Sequence, residues 1–134
     1  EMSRGLGDVY KRQEKDAVVR PRVDVWSSDS AYVLDKNYIE TSLINNIQFS
    51  IDNNVPVYCG EFGAGINCFS ENRGGEQWVS DVIDICFQYG INFNYHTYHE
   101  NSFGLYTNSP LLPPDQRNDS LYNTLISTLT DSTD

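Results

Sequence analysis

Three stretches of the chain space their apolar residues as helices do, and two space them as strands do. Tyr38, Leu43, Ile44, Ile47 and Ile51 recur at near-helical intervals and predict an amphipathic helix over 36–53. Asp35 is placed to cap its start, and Asn53-Asn54 to end it. Trp78, Val82, Cys86 and Tyr89 stand four, four and three residues apart, with Val79, Ile83 and Ile85 widening the face. They predict a helix over 75–89, stopped by Gly90 in a left-handed conformation. Leu121, Leu125, Ile126 and Leu129 predict a last helix capped by Asn118 or Asp119, and Thr130 to Asp134 reads as a fraying tail. Between the first two helices, Val55 to Cys59 is a run of mostly β-forming residues, with Pro56 near its start and Gly60 at its end. Such a run suits a parallel strand buried on both faces. After the second helix, Ile91 to Tyr98 alternates apolar and polar with period two and predicts a strand. Val18-Val19 and Val23 to Trp26 are candidates for further short strands, separated by Pro21, and Ser27 to Ser30 reads as a loop.

The order helix, strand, helix, strand, helix argues for parallel βα units. Two strands cannot close a barrel, for which about 250 residues are typical. The expected fold class is therefore α/β: the C-terminal portion, about the last two βα units, of a (β/α)8 TIM barrel, or a small α/β domain if the chain stands alone. Residues 1–13 stand apart. They are polar, carry Gly5 and Gly7 and show no period, and Leu6 to Gln13 resembles translated sequencing-adapter read-through. They are expected to be a disordered tail or an assembly artefact, with the domain in 14–134.

The position that gives this pattern chemical interest is Glu61. It follows the first strand at once, within Gly60-Glu61-Phe62-Gly63-Ala64-Gly65, where three glycines let the backbone turn sharply and approach another segment. A carboxylate at the end of a buried strand is costly unless it is paired, hydrogen-bonded or open to a cleft. The alternatives are a catalytic carboxylate and a Glu turned to water. His96 and His99 have HxxH spacing with Glu100 adjacent, but an odd separation in a strand puts them on opposite faces, so no metal is expected. Glu71 and Glu76 are explained by the dipole of the following helix, and Asp81 and Asp84 by its solvated face.

Composition narrows the partners. The net charge is −10 and no basic cluster stands out, which argues against nucleic acid and anionic membranes. The three cysteines, Cys59, Cys68 and Cys86, leave at least one unpaired within the chain; a Cys68–Cys86 bridge is one arrangement their positions allow. Asn118-Asp119-Ser120 matches a glycosylation sequon, and no signal peptide is visible.

Over about residues 35–130 the sequence resembles glycoside hydrolase family 5, the cellulase-like (β/α)8 barrels. Pro56 to Gly63 looks like the family's strand-seven motif, whose Glu is the nucleophile. The helix through Trp78 to Tyr89, followed by Gly90-Ile91-Asn92-Phe93, looks like helix seven leading into strand eight. Tyr95 to Glu100, followed by Phe103-Gly104-Leu105-Tyr106, looks like the end of strand eight and the loop after it. The resemblance implies a retaining glycosidase acting on β-linked polysaccharide, with an endo-β-1,4-glucanase as the expected activity. It implies Glu61 as nucleophile and His96, Tyr98, Tyr95 and Glu100 as substrate-binding residues. It also implies no cofactor and no metal, a monomer, and a secreted parent protein. Hydrogen bonds from Tyr95, His96 or Tyr98 would keep Glu61 ionised. His96 stands where the family often has a sugar-stacking Trp. In a regular strand Asn94, His96 and Tyr98 share a face, while Phe93 and Tyr95 pack against helices. Trp26 and the tyrosines of 95–106 are aromatic surfaces for sugar or for packing. The family's acid/base Glu, preceded by Asn on strand four, has no counterpart here, so the chain alone is expected to be inactive. The alternatives are a related β-mannanase or β-glucosidase-type barrel, and a non-catalytic carbohydrate-binding α/β fragment.

Overall fold

The computed structural model describes residues 24–27, 30–32 and 35–131. The tail over 1–13 and the Val18-Val19 strand lie outside the described residues, as does the side chain of Trp26. A short antiparallel pair comes first, β1 (Asp24–Ser27) with β2 (Ser30–Tyr32). The rest is α1 (Lys36–Asn53), β3 (Tyr58–Phe62), a 3-10 turn (Ile66–Phe69), α2 (Gly75–Gln88), β4 (Asn92–Tyr95) and α3 (Asp119–Asp131). β3 and β4 pair in parallel on either side of α2 in the sequence. The βα alternation expected from the sequence is present as this mixed helix-and-strand arrangement.

The first helix has the predicted bounds. The Asp35 carboxylate accepts from the Tyr38 N–H at 3.0 Å, and Asn54 closes the helix with a left-handed φ of 49°. Its buried stripe, however, is Ile39, Leu43 and Ile47, spaced four and four; Ile44 and Ile51 of the predicted face are exposed. A stripe four residues apart suits the contact that α1 makes with α2. Lys36 reaches Asp84 at 3.2 Å across that contact, and the Tyr89 hydroxyl donates to Glu40.

The first core strand is displaced from its prediction. Val55 to Val57 belong to the exit of α1: the Val55 N–H donates to the Ser50 carbonyl, and the Ser50 hydroxyl to the Val55 carbonyl. The strand begins at Tyr58 and runs through Glu61 to Phe62. Nor is it buried on both faces. Cys59 and Phe62 are buried, but Tyr58 is 55% exposed, and Gly60 and Glu61 face out. β4 is also shorter than predicted, ending at Tyr95. Phe62 sits at the centre of the covered face, with its ring 5.4–6.1 Å from those of Tyr95, Phe93 and Trp78.

α2 is the core helix, with Val79, Val82, Ile83 and Ile85 fully buried, and Gly90 beyond it has the expected positive φ of 63°. Asp81 is buried, not solvated; the Gln77 amide donates to it at 2.8 Å. Glu76 lies in the first turn, while Glu71 pairs with Arg73 instead of the helix. α3 packs on α2 through Leu121, Leu125 and Thr128. Ile126 and Leu129 of its predicted face are exposed, and the helix continues through Thr130 to Asp131. Asn118 is its cap, accepting from the Leu121 N–H at 3.1 Å.

All three cysteines are free and buried. A Cys68–Cys86 bridge is ruled out by the helix between them. The Cys68 carbonyl lies against Gly75 at the start of α2. Cys86 lies on its last turn. From position 75 to position 86 a helix rises roughly 16 Å, whereas bridged Cα atoms stand within about 7 Å.

Candidate active site

The site forms where the two parallel strands end. Strict alternation would put Glu61 on the same face as Cys59, pointing into the core. The pairing prevents this. Cys59 is opposite Phe93 and Phe62 is opposite Tyr95, so β3 holds one more residue than β4 over that interval. The extra residue is a bulge, which re-aims the side chains around it. Cys59 and Phe62 both point inward, and Gly60 and Glu61 both point outward.

The strands then close on one another. The His96 N–H donates to the Phe62 carbonyl at 2.7 Å. A Cβ at position 63 would lie 2.1 Å from the His96 carbonyl oxygen, so only glycine admits this approach. Gly60 is under no such demand, since a Cβ there would make an ordinary contact at 3.5 Å.

This closure sets His96 Nδ1 2.8 Å from Glu61 Oε1, with both side chains partly in solvent. An ionised carboxylate only accepts hydrogen bonds. Nδ1 therefore carries the proton in this pair, in either the neutral or the charged imidazole. Of the three neighbours expected to hydrogen-bond Glu61, His96 is the one that does.

The other candidate residues are placed as follows. Tyr95 turns inward: its hydroxyl meets the Ala64 N–H at 3.3 Å and the Ala64 carbonyl at 3.4 Å, supporting the turn after Glu61 from below. Burial pushes its phenol well above the ordinary value, with a small opposing effect from Ala64. Tyr98 is 62% exposed and packs edge-on to Tyr106 at 5.3 Å. Glu100 is engaged in its own loop, its two oxygens accepting from the Ser102 and Phe103 N–H groups at 2.9 and 3.0 Å. His99 Nε2 lies 3.0 Å from the Asn108 side-chain oxygen. His96 and His99 thus have separate partners. Among the described residues no group of three His, Cys, Asp or Glu side chains is placed to hold a metal.

The loop after β4 supplies a residue that spacing did not single out. Phe103 stands 5.8 Å from the His96 ring, on the turn that Glu100 holds. Gly104 closes that turn, buried between the Glu100 and Tyr106 carbonyls, each 2.3 Å from where a Cβ would lie. The loop after β3 is tied to it by the Ile66 N–H donating to Ser102 at 2.9 Å. Asn108 was also missed; its side-chain oxygen accepts from the Asp115 N–H at 2.8 Å, a contact across seven residues of irregular chain that has no sequence signature.

A partly solvated carboxylate held by one imidazole N–H at a strand end is equipped to attack an electrophilic carbon, or to accept a proton. Lys36, Arg73 and Arg117, the basic side chains among the described residues from position 35 onward, are paired with Asp84, Glu71 and Asp119. Among the described residues His96 is the basic side chain in contact with Glu61. No protein-family model matches the chain, and no curated protein matches it.

Proposed function

We propose that this chain carries the nucleophile half of a retaining glycosidase site, within the last two βα units of a (β/α)8 barrel. The observation that carries the reading is the Glu61–His96 pair, 2.8 Å apart at the C-terminal ends of two adjacent parallel strands. That end of the strands is the active-site face of such barrels. A second feature supports the barrel. Parallel sheets occur with both faces covered, yet Tyr58, Asn92 and Asn94 are exposed on the β3–β4 sheet. Further strands of a parent protein would pair the free edges and enclose that face.

In this reading Glu61 attacks the anomeric carbon of a β-linked polysaccharide, β-1,4-glucan being the expected substrate. His96 holds Oε1 and leaves the other oxygen to form the glycosyl-enzyme bond. A second carboxyl group about 5–5.5 Å away protonates the leaving oxygen and then activates water. Among the described residues Glu100 does not serve, since both its oxygens are bonded within its own turn. The acid/base comes from elsewhere in the parent protein, and residues 14–134 alone turn over no substrate. Exposed Tyr98, edge-on to the half-buried Tyr106, favours a second reading, a non-catalytic carbohydrate-binding surface.

The test is trapping of the parent protein with an activated 2-fluoro glycoside, followed by peptide mapping. Covalent label on Glu61, lost in Glu61→Gln, is the expected result. Saturable sugar binding without label would replace the nucleophile by the binding surface. Turnover of a cellulosic substrate by residues 14–134, abolished by Glu61→Gln, would show that the site is complete without the missing strands.

A further inference from the structure

We propose that Asn118 is the acceptor of an N-linked glycan, and that its side chain serves the fold and the sugar with different atoms: Oδ1 caps α3 and Nδ2 carries the glycan. Asn118-Asp119-Ser120 is the one Asn-x-Ser/Thr sequence in the chain, and its middle residue is not proline. The fold places it at the start of α3. All but one of the polar groups of Asn118 are committed there. Its N–H donates to the Leu105 carbonyl at 2.8 Å, and its carbonyl accepts from the Tyr122 N–H at 2.9 Å. Oδ1 accepts from the Leu121 N–H at 3.1 Å. Nδ2 is the group left over, with no hydrogen-bond partner among the described residues.

That nitrogen is open to solvent. Among the described residues the buried side-chain polar atom that lacks a partner is Trp78 Nε1, so the unpartnered Nδ2 of half-buried Asn118 is not buried. The surroundings leave room for a large polar group. The chain is exposed throughout from Ser109 to Arg117, and Asp119 is exposed as well. The Asp119 carboxylate accepts from the Arg117 guanidinium at 2.7 Å, which offsets the negative charge beside the acceptor.

The co-reactant is an oligosaccharide carried on a lipid diphosphate. Nδ2 attacks the anomeric carbon of the first sugar; the C–N bond forms and the C–O bond to the diphosphate breaks. The lipid diphosphate leaves with the electron pair, and one Nδ2 proton passes to a base of the transferase. Nothing is oxidised or reduced. The product is a substituted amide that keeps Oδ1 as an acceptor and one N–H as a donor. A Ser or Thr cap modified on its hydroxyl would change the atom that caps, whereas a glycan on Nδ2 leaves the bond to Leu121 in place.

The inference does not depend on the glycosidase reading. Its test directs the complete 134-residue chain into the secretory pathway of a eukaryotic cell with a cleavable leader. All of the chain, exported or retained, is then mapped by mass spectrometry. The expected result is an N-glycan on the Asn118 peptide. It should be absent from Ser120→Ala, which leaves the cap, and from Asn118→Asp, which keeps a capping oxygen and removes Nδ2. Wild-type chain unmodified at Asn118, or a glycan that persists in Ser120→Ala, would overturn the proposal. The shared use of the side chain has its own readout. The glycoprotein is trimmed to its first sugar with an endoglycosidase and unfolded in urea beside the unmodified chain made in bacteria. An equal or higher midpoint is expected; a lower one would mean that the sugar displaces the cap. The peptide map decides the acceptor even where a variant fails to fold.

Discussion

Gly63 and His96 are joined by a distance that leaves no room for a methyl group. In Gly63→Ala the new Cβ must displace the His96 carbonyl, 2.1 Å away, and with it the strand-to-strand hydrogen bond at Phe62. Forced overpacking of this kind costs about 1–3 kcal/mol. The midpoint of urea unfolding should fall accordingly. His96→Ala tests a different quantity. It leaves the backbone contact intact and removes the N–H that holds Glu61 Oε1. Loss of position at a reacting group costs on the order of a hundredfold in rate. On the proposed glycosidase reading, kcat of the parent protein should fall by about that factor while stability changes little, and a kcat unchanged by the substitution would take His96 out of the mechanism.

Each helix is anchored to a neighbour by a few side chains, and a polar side chain caps the start of α1 and of α3. The outer face of α3 carries exposed Ile126 and Leu129, and its start is held by the Asn118 cap. Asn118→Ala removes the acceptor for the Leu121 N–H and should destabilise the fold by about 1 kcal/mol. Asn118 sits at the junction of α3 with the loop after β4, where its own N–H donates to the Leu105 carbonyl at 2.8 Å. Hydrogen exchange in residues 105–122 should therefore quicken more than exchange in α1. At this scale most of the fold was legible. The 3.6-residue repeat and the Asp35 and Asn118 caps placed the helices within about two residues, because capping and periodicity are local properties. The exposed side of each helix was less legible. Ile44, Ile51, Ile126 and Leu129 are apolar enough for a core, and only the partner helix determines which of them it covers.

The described residues form a mixed helix-and-strand unit in which the β3–β4 sheet has one covered and one exposed face, and the response to pH follows from what the covered face buries. Tyr95 is protonated in the fold to a pH well above its ordinary value of 10.0, chiefly through burial. The unfolded chain releases that proton near the ordinary value while the folded chain retains it. Above pH 10 the folded state therefore binds more protons, and stability falls as pH rises. Below that pH the contribution is fully present. Thermal unfolding followed from pH 8 to pH 11 should show this decline, and Tyr95→Phe should flatten it. Equal slopes in the two proteins would mean that Tyr95 ionises freely in the fold.

The sequence by itself determined the helices, the βα order, the stop at Gly90 and the nomination of Glu61, since each depends on residues close together along the chain. It also marked Gly63 as a place where backbone would come close to something. Tertiary structure decided what that something was, and which way Glu61 points. The period-two rule assigns Glu61 to the buried face beside Cys59. One extra residue in β3, visible only against its register with β4, turns Glu61 outward to His96. The same packing kept Cys68 and Cys86 at opposite ends of α2. Register and helix placement are relations between segments far apart in sequence, so no local pattern of residues encodes them.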